Sequence, residues 1–145
     1  MLYRCFVAFV IVAFAGRVGP ALGETCAIEK LETPNFQQRF LEHHYDLIVL
    51  LDVDKEYQQY LQDIRSGKTV PGMTANQTFR ELAKPLTKAK EQRLEGTRFR
   101  IHSNLELGPD VVIQVADWPD VCELASNPHV VTIWLDLPVG LSYAL

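Results

Sequence analysis

The stretch 110–136, DVVIQVADWPDVCELASNPHVVTIWLD, switches from strand to helix periodicity and back, and this constrains the fold more than any other feature. Residues 110–115 are rich in β-branched side chains and follow Gly108-Pro109, which predicts a strand. Asp117 offers a helix N-cap, Pro119 sits in the first turn where no backbone donor is needed, and Asp120 lies at the positive end of the helix dipole. Val121 and Leu124 share one face of that helix. Asn127-Pro128 ends it, because a residue before proline is pushed out of the helical region. Residues 129–136 then alternate as a second strand, with Val131, Ile133 and Leu135 on one face and Val130, Thr132 and Trp134 on the other.

Upstream, the run 46–53 (DLIVLLDV) is continuously apolar and predicts a central strand buried on both sides or nearly so. Residues 55–65 place Tyr57, Tyr60, Leu61 and Ile64 on one helical face, ended at Ser66-Gly67. The stretch 68–77, with Pro71-Gly72, reads as a loop. Residues 78–94 carry Phe79, Leu82, Leu86, Ala89 and Leu94 near helical spacing. Pro85 predicts a kink there or two helices meeting, with Gly96 as the stop. In 98–105, Phe99 and Ile101 alternate with Arg100 and His102, as in an antiparallel strand with one wet face. Residues 35–44 form a short amphipathic helix through Phe36, Phe40 and Leu41. Setting the 55–65 helix aside as an insertion, the order is βαββαβ. That order implies an α+β, ferredoxin-like fold: a four-stranded antiparallel sheet with two helices on one face, plus the inserted helix and an N-terminal helical extension.

The first residues read as a secretory signal peptide, 1–23. Arg4 precedes an apolar run over 5–15, and Ala21-Leu22-Gly23 supplies small residues at a cleavage spacing, with an earlier cut after Ala15 as the alternative. The run is too short for a membrane span, which takes about 20 residues. Cleavage removes Arg4 and Arg17 and takes the net charge from −4 to −6, which argues against a nucleic-acid partner. The mature product is expected outside the cytosol, secreted or periplasmic, with no membrane association. Cys26 and Cys122 are then the remaining cysteines, an even pair for an oxidising compartment; two unpaired thiols are the alternative. The expected parts are 24–45 as an extension, 46–136 as the domain and 137–145 as a tail.

A search for catalytic chemistry returns little. Serine-hydrolase, zinc-protease, phosphate-loop and dinucleotide motifs are absent from the sequence. His43 and His44 point about 100° apart on a helix and make a poor metal pair. Asp52-Val53-Asp54 has the form of a phosphotransferase DxD start, but Lys55-Glu56 follows where small residues are expected. An enzyme such as an acylphosphatase needs an arginine after the first strand, where Asp52 and Asp54 stand. No catalytic residue, cofactor or metal is expected, and the protein is not read as an enzyme. Asn76-Gln77-Thr78 fits a glycosylation acceptor in a loop, meaningful in a eukaryotic source.

The order of apolar strand, aspartate-led helix, Leu-x-Ser-Asn-Pro-x-Val-Val, strand and Asp-x-Pro resembles the propeptides of subtilisin-like serine proteases, a fold that also occurs as free-standing protease inhibitors. The matching residues are Val121, Leu124, Ser126, Asn127, Pro128, Val130, Val131, Ile133, Asp136 and Pro138. The likeness runs over about 100–145, extends back to Asp46, and leaves out 24–45 and 52–77. It implies the ferredoxin-like fold and a subtilisin-like serine protease as partner. In those proteases a catalytic domain follows Asp-x-Pro; here nine residues follow Asp136, so the expectation is a domain acting in trans, or a fragment.

The sheet face opposite the helices is then the docking surface, and Arg100, His102, Gln114, Thr132 and Trp134 are placed on it. By the same resemblance Asp136 caps helix N-termini of the protease. The tail enters the substrate cleft as an extended strand through Leu141, Ser142, Tyr143, Ala144 and Leu145, with Leu145 in the specificity pocket. Trp134 is either a binding anchor or a side chain covered by Phe36 and Phe40. The free protein is expected to be a monomer. A separately made folding chaperone for such a protease and a non-enzymatic adhesion or scaffold module are the competing readings.

Overall fold

The structure, a computed structural model, describes residues 26–138. The expected leader and the tail residues Leu141, Ser142, Tyr143, Ala144 and Leu145 lie outside the described residues. Four strands, β1 (Leu47–Leu51), β2 (Ile101–Asn104), β3 (Asp110–Ile113) and β4 (Val130–Leu135), form one antiparallel sheet in the order β2-β3-β1-β4. Four helices accompany it: α1 (Phe36–His43), α2 (Asp54–Arg65), α3 (Ala75–Arg93) and α4 (Trp118–Ser126). The fold is α+β. Among the described residues no helix is long and apolar enough to cross a membrane.

Burial along the central strand β1 alternates, which refines the expectation of a strand buried on both sides or nearly so. Leu47, Val49 and Leu51 are at most 2 % exposed, while Ile48 and Leu50 are half-buried. The cause is that helical cover lies on one face. Leu47, Val49, Leu51, Val111, Ile113, Ile133 and Leu135 share one core with Phe36 and Phe40 of α1, Tyr60 of α2, Leu86 and Ala89 of α3, and Val121 and Leu124 of α4.

Two bulges alter the expected alternation. Between β1 and β4 the register jumps from Leu50 opposite Thr132 to Leu51 opposite Val130. Val131 is the extra residue, 47 % exposed, and Val130 joins the core at 1 %, so the grouping of Val131 with Ile133 and Leu135 does not hold. Between β2 and β3, Ile101 faces Ile113 and Ser103 faces Val112, which leaves His102 as the extra residue.

The helix starts are written in local chemistry. The Asp117 side chain accepts from the Asp120 amide at 3.1 Å, as the sequence predicts for α4. α3 starts earlier than expected, because Thr74 and Gln77 form a reciprocal capping box: the Gln77 amide donates to Thr74 and the Thr74 amide donates to Gln77. It runs as one helix through an exposed Pro85 rather than as two. Phe79 and Leu41, expected on apolar faces, are 39 % and 50 % exposed.

Cys26 and Cys122 form a disulfide with the Cα atoms 4.6 Å apart. It fastens the segment before α1 to α4 and the free edge of β4. The Glu32 amide donates to the Ile133 carbonyl at 3.1 Å, and the Leu135 amide donates to the Thr33 hydroxyl at 2.9 Å. Leu31 makes a parallel bridge to Ile133, and Lys30 donates to the Asn127 carbonyl. At the other end of the sheet, Arg98 joins the approach to β2 to α4 through Asp120 and Glu123. Burial alone would raise the Asp120 carboxyl, but the Ala116 amide and Arg98 together pull it below the usual carboxylate range.

Lys90 of α3 is wholly buried (0 % exposed). Its ammonium donates to the carbonyls of Leu105 (2.9 Å), Gly108 (2.8 Å) and Asp110 (3.2 Å), all in the hairpin joining β2 to β3. Burial pushes its pKa down from 10.5 to about 8, against the opposing pull of Asp110 and Glu106. Between those two values the unfolded chain binds more protons than the folded one, so stability rises with pH across that window. The slope is at most about 1.4 kcal/mol per pH unit. Burial raises the Tyr60 phenol, and stability falls again above pH 10 as unfolded tyrosine ionises first. Urea unfolding from pH 7 to 10.5 is expected to give a maximum near pH 10; a monotonic fall across the range would contradict this account of Lys90.

Candidate functional site

The second face of the sheet has no helix on it among the described residues, and the register shows which side chains it carries. Ile48 stands between Val112 of β3 and Trp134 of β4, and Val112 faces Ser103 of β2. A row Ser103–Val112–Ile48–Trp134 therefore crosses all four strands, with neighbours at the Cβ spacing of about 4.5–5.5 Å that paired residues adopt. A second row, Asp110–Leu50–Thr132, lies beside it. Val112 is 8 % exposed yet stands apart from the main core.

Polar groups border this apolar strip. The alternation that turns Leu47, Ile113 and Leu135 inward turns Asp46, Gln114 and Asp136 outward. Gln114 donates to the Asp46 carboxylate at 3.2 Å, and the Asp136 amide donates to the Asp46 carbonyl at 2.8 Å. Asp136 is exposed where the chain leaves β4, with Leu137 and Pro138 following. One margin of the face thus carries two carboxylates at the root of the tail.

Of the residues picked out in the sequence, Gln114, Thr132, Trp134 and Asp136 come together on this face. His102 sits in the bulge on the outer strand β2 and is exposed. Arg100 precedes that strand and folds back, donating to the carbonyls of Thr97 (2.9 Å) and Phe99 (3.0 Å). The two line a cleft of about 780 Å³ between β2 and α3, together with Lys88, Glu91 and Phe99. They also line a second of about 460 Å³ that reaches Gln114. Ile48, Leu50, Val112, Ser103 and Asp46 belong to the face but escaped the sequence reading. Within an unbroken apolar run nothing in the residue types marks which alternate positions are uncovered.

The position of α1 decides what covers Trp134. Phe36 and Phe40 pack on Trp118 of α4, each with ring centroids 6.3 Å apart, and both are buried in the helical layer. They do not roof Trp134. Among the described residues no group of three histidine, cysteine, aspartate or glutamate side chains is placed to hold a metal ion. Compared with known proteins, the chain matches no family model, no curated protein and no solved structure.

Proposed function

We propose that the chain is a secreted inhibitor of a subtilisin-like serine protease, built on a ferredoxin-like βαββαβ domain. The antiparallel order β2-β3-β1-β4, with a helical crossover inside each half, supports that arrangement once α1 and α2 are taken as additions. The observation that carries the reading is the apolar row Val112–Ile48–Trp134 on the sheet face away from the helices, with Ile48 and Trp134 partly exposed and Asp136 exposed at its margin. An apolar strip rimmed by polar groups marks an interaction surface, and the tryptophan at its β4 end is a residue type enriched among those that dominate binding energy. The sequence resemblance supplies the partner. In this reading the face docks on surface helices of the protease, Asp136 meets their N-termini, and residues 137–145 continue into the substrate cleft.

The test is a titration of subtilisin with residues 24–145, which hold every residue of the described core. The expected result is stoichiometric loss of peptidase activity. Trp134→Ala raises the inhibition constant roughly thirty-fold or more, corresponding to about 2 kcal/mol. Deleting residues 143–145 raises it by orders of magnitude while thermal unfolding stays put. Full activity of the protease at a large molar excess of the protein overturns the proposal. An increased yield of refolded protease without inhibition favours the chaperone reading.

A further inference from the structure

We infer that Asn76 is an acceptor for an N-linked oligosaccharide when the chain passes through a eukaryotic secretory pathway, an inference that rests on the export reading of 1–23. The sequence Asn76-Gln77-Thr78 supplies the acceptor triplet. The structure corrects its setting: it lies in the first turn of α3, not in a loop. Asn76 is exposed and its side chain makes no hydrogen bond, ion pair or ring contact among the described residues, so a substituent on its amide displaces nothing. Side chains on a helix tilt toward its N-terminus, which directs the glycan over the exposed turn 71–74 and away from the packing of α3 on α2.

Two exposed apolar side chains flank the position. Met73 is 42 % and Phe79 39 % exposed, with Met73 just before the Thr74 cap and Phe79 three residues beyond Asn76 on the same side of the helix. The inner sugars of a glycan present C–H faces that cover such groups. Thr78 is 5 % exposed, so transfer belongs to the nascent chain, before α3 closes over that hydroxyl. In the transfer step the Asn76 amide nitrogen forms a bond to C1 of the first sugar of a polyprenyl-diphosphate-linked oligosaccharide. The C1–O bond to diphosphate breaks, the amide loses a proton, and the lipid diphosphate leaves. Because α3 lies in the helical layer, the glycan stands clear of Trp134 and the open face.

The experiment expresses the full chain in secreting eukaryotic cells and treats the medium protein with an N-glycan amidase. Wild type and Thr78→Ser are expected to gain mobility in one discrete step, while Asn76→Gln and Thr78→Ala run at the deglycosylated position before and after treatment. Secreted wild type that the amidase leaves unchanged overturns the proposal. A parallel arm replaces 1–23 with a proven leader. A shift seen there alone means that the export reading has failed and with it the proposal, whereas absence of a shift in both arms refutes the acceptor site itself. Protease inhibition by the glycosylated and treated forms is expected to be equal, so its outcome is read separately.

Discussion

Replacing both Cys26 and Cys122 with alanine is expected to lower the unfolding free energy by about 4–5 kcal/mol, the chain-entropy value for a loop approaching 100 residues. The bridge joins residues 96 apart in sequence, so most of the chain lies inside the loop it closes. Domains of this kind are stable by about 5–15 kcal/mol, so the loss is a large share of the total. The structure adds a local consequence. Without the bridge, the arm carrying Leu31, Glu32 and Thr33 is held on β4 by backbone and hydroxyl bonds worth about 1 kcal/mol each. Detachment uncovers Phe36, Phe40 and Trp118. Urea unfolding is the measurement, and a larger m-value accompanies the shift because the unlinked denatured chain is more expanded. A loss under about 1 kcal/mol would mean that the denatured chain is already compact enough for the cross-link to be redundant.

Lys90→Met is expected to cost about 2–4 kcal/mol, although methionine fills much of the same volume. The cost comes from the carbonyls of Leu105, Gly108 and Asp110, which lose a shared donor inside the protein. Leaving a buried acceptor unsatisfied costs about 1–3 kcal/mol. Leu105 retains a bond from the Gly108 amide, which keeps the total below three full penalties. The substitution also removes a buried ammonium that is itself disfavoured, so the increase of stability between pH 8 and 10 disappears in the variant. Comparing urea midpoints of wild type and variant at pH 7 and pH 10 reads both effects. Equal stability at pH 7 would show that the hairpin carbonyls find water as readily as lysine.

Much of the frame was legible in residue order. Asp117, Pro119 and Asn127-Pro128 bound α4, and the glycines after α2 and α3 mark their ends, because caps and stops are local chemistry carried by single residue types. The cysteine pairing followed from an even count. Less visible was anything that depends on which neighbour lies across a strand. Val130 and Val131 are the same residue type, and only the bulge against β1 puts one in the core and the other in water. Ile48 and Leu50 look no different from Leu47 and Val49 until the helices are seen to gather on one side. Lys90 reads as a surface residue, since lysine is among the types least often buried; its place inside is set by three distant carbonyls. The Thr74–Gln77 capping box was a sequence signal in plain view, masked by the Pro71-Gly72 turn just before it.

The arm at β4 has a consequence for how the molecule behaves at high concentration. A sheet with two unguarded margins invites stacking of molecules edge on edge into ribbons. Here Leu31 and Glu32 occupy one margin, held by a covalent tie, so lateral polymerisation has a single starting point. That remaining margin is β2, four residues long and kinked at His102, a poor template for another strand. The same molecule can therefore leave one sheet face without helical cover and still offer its own kind little edge to join.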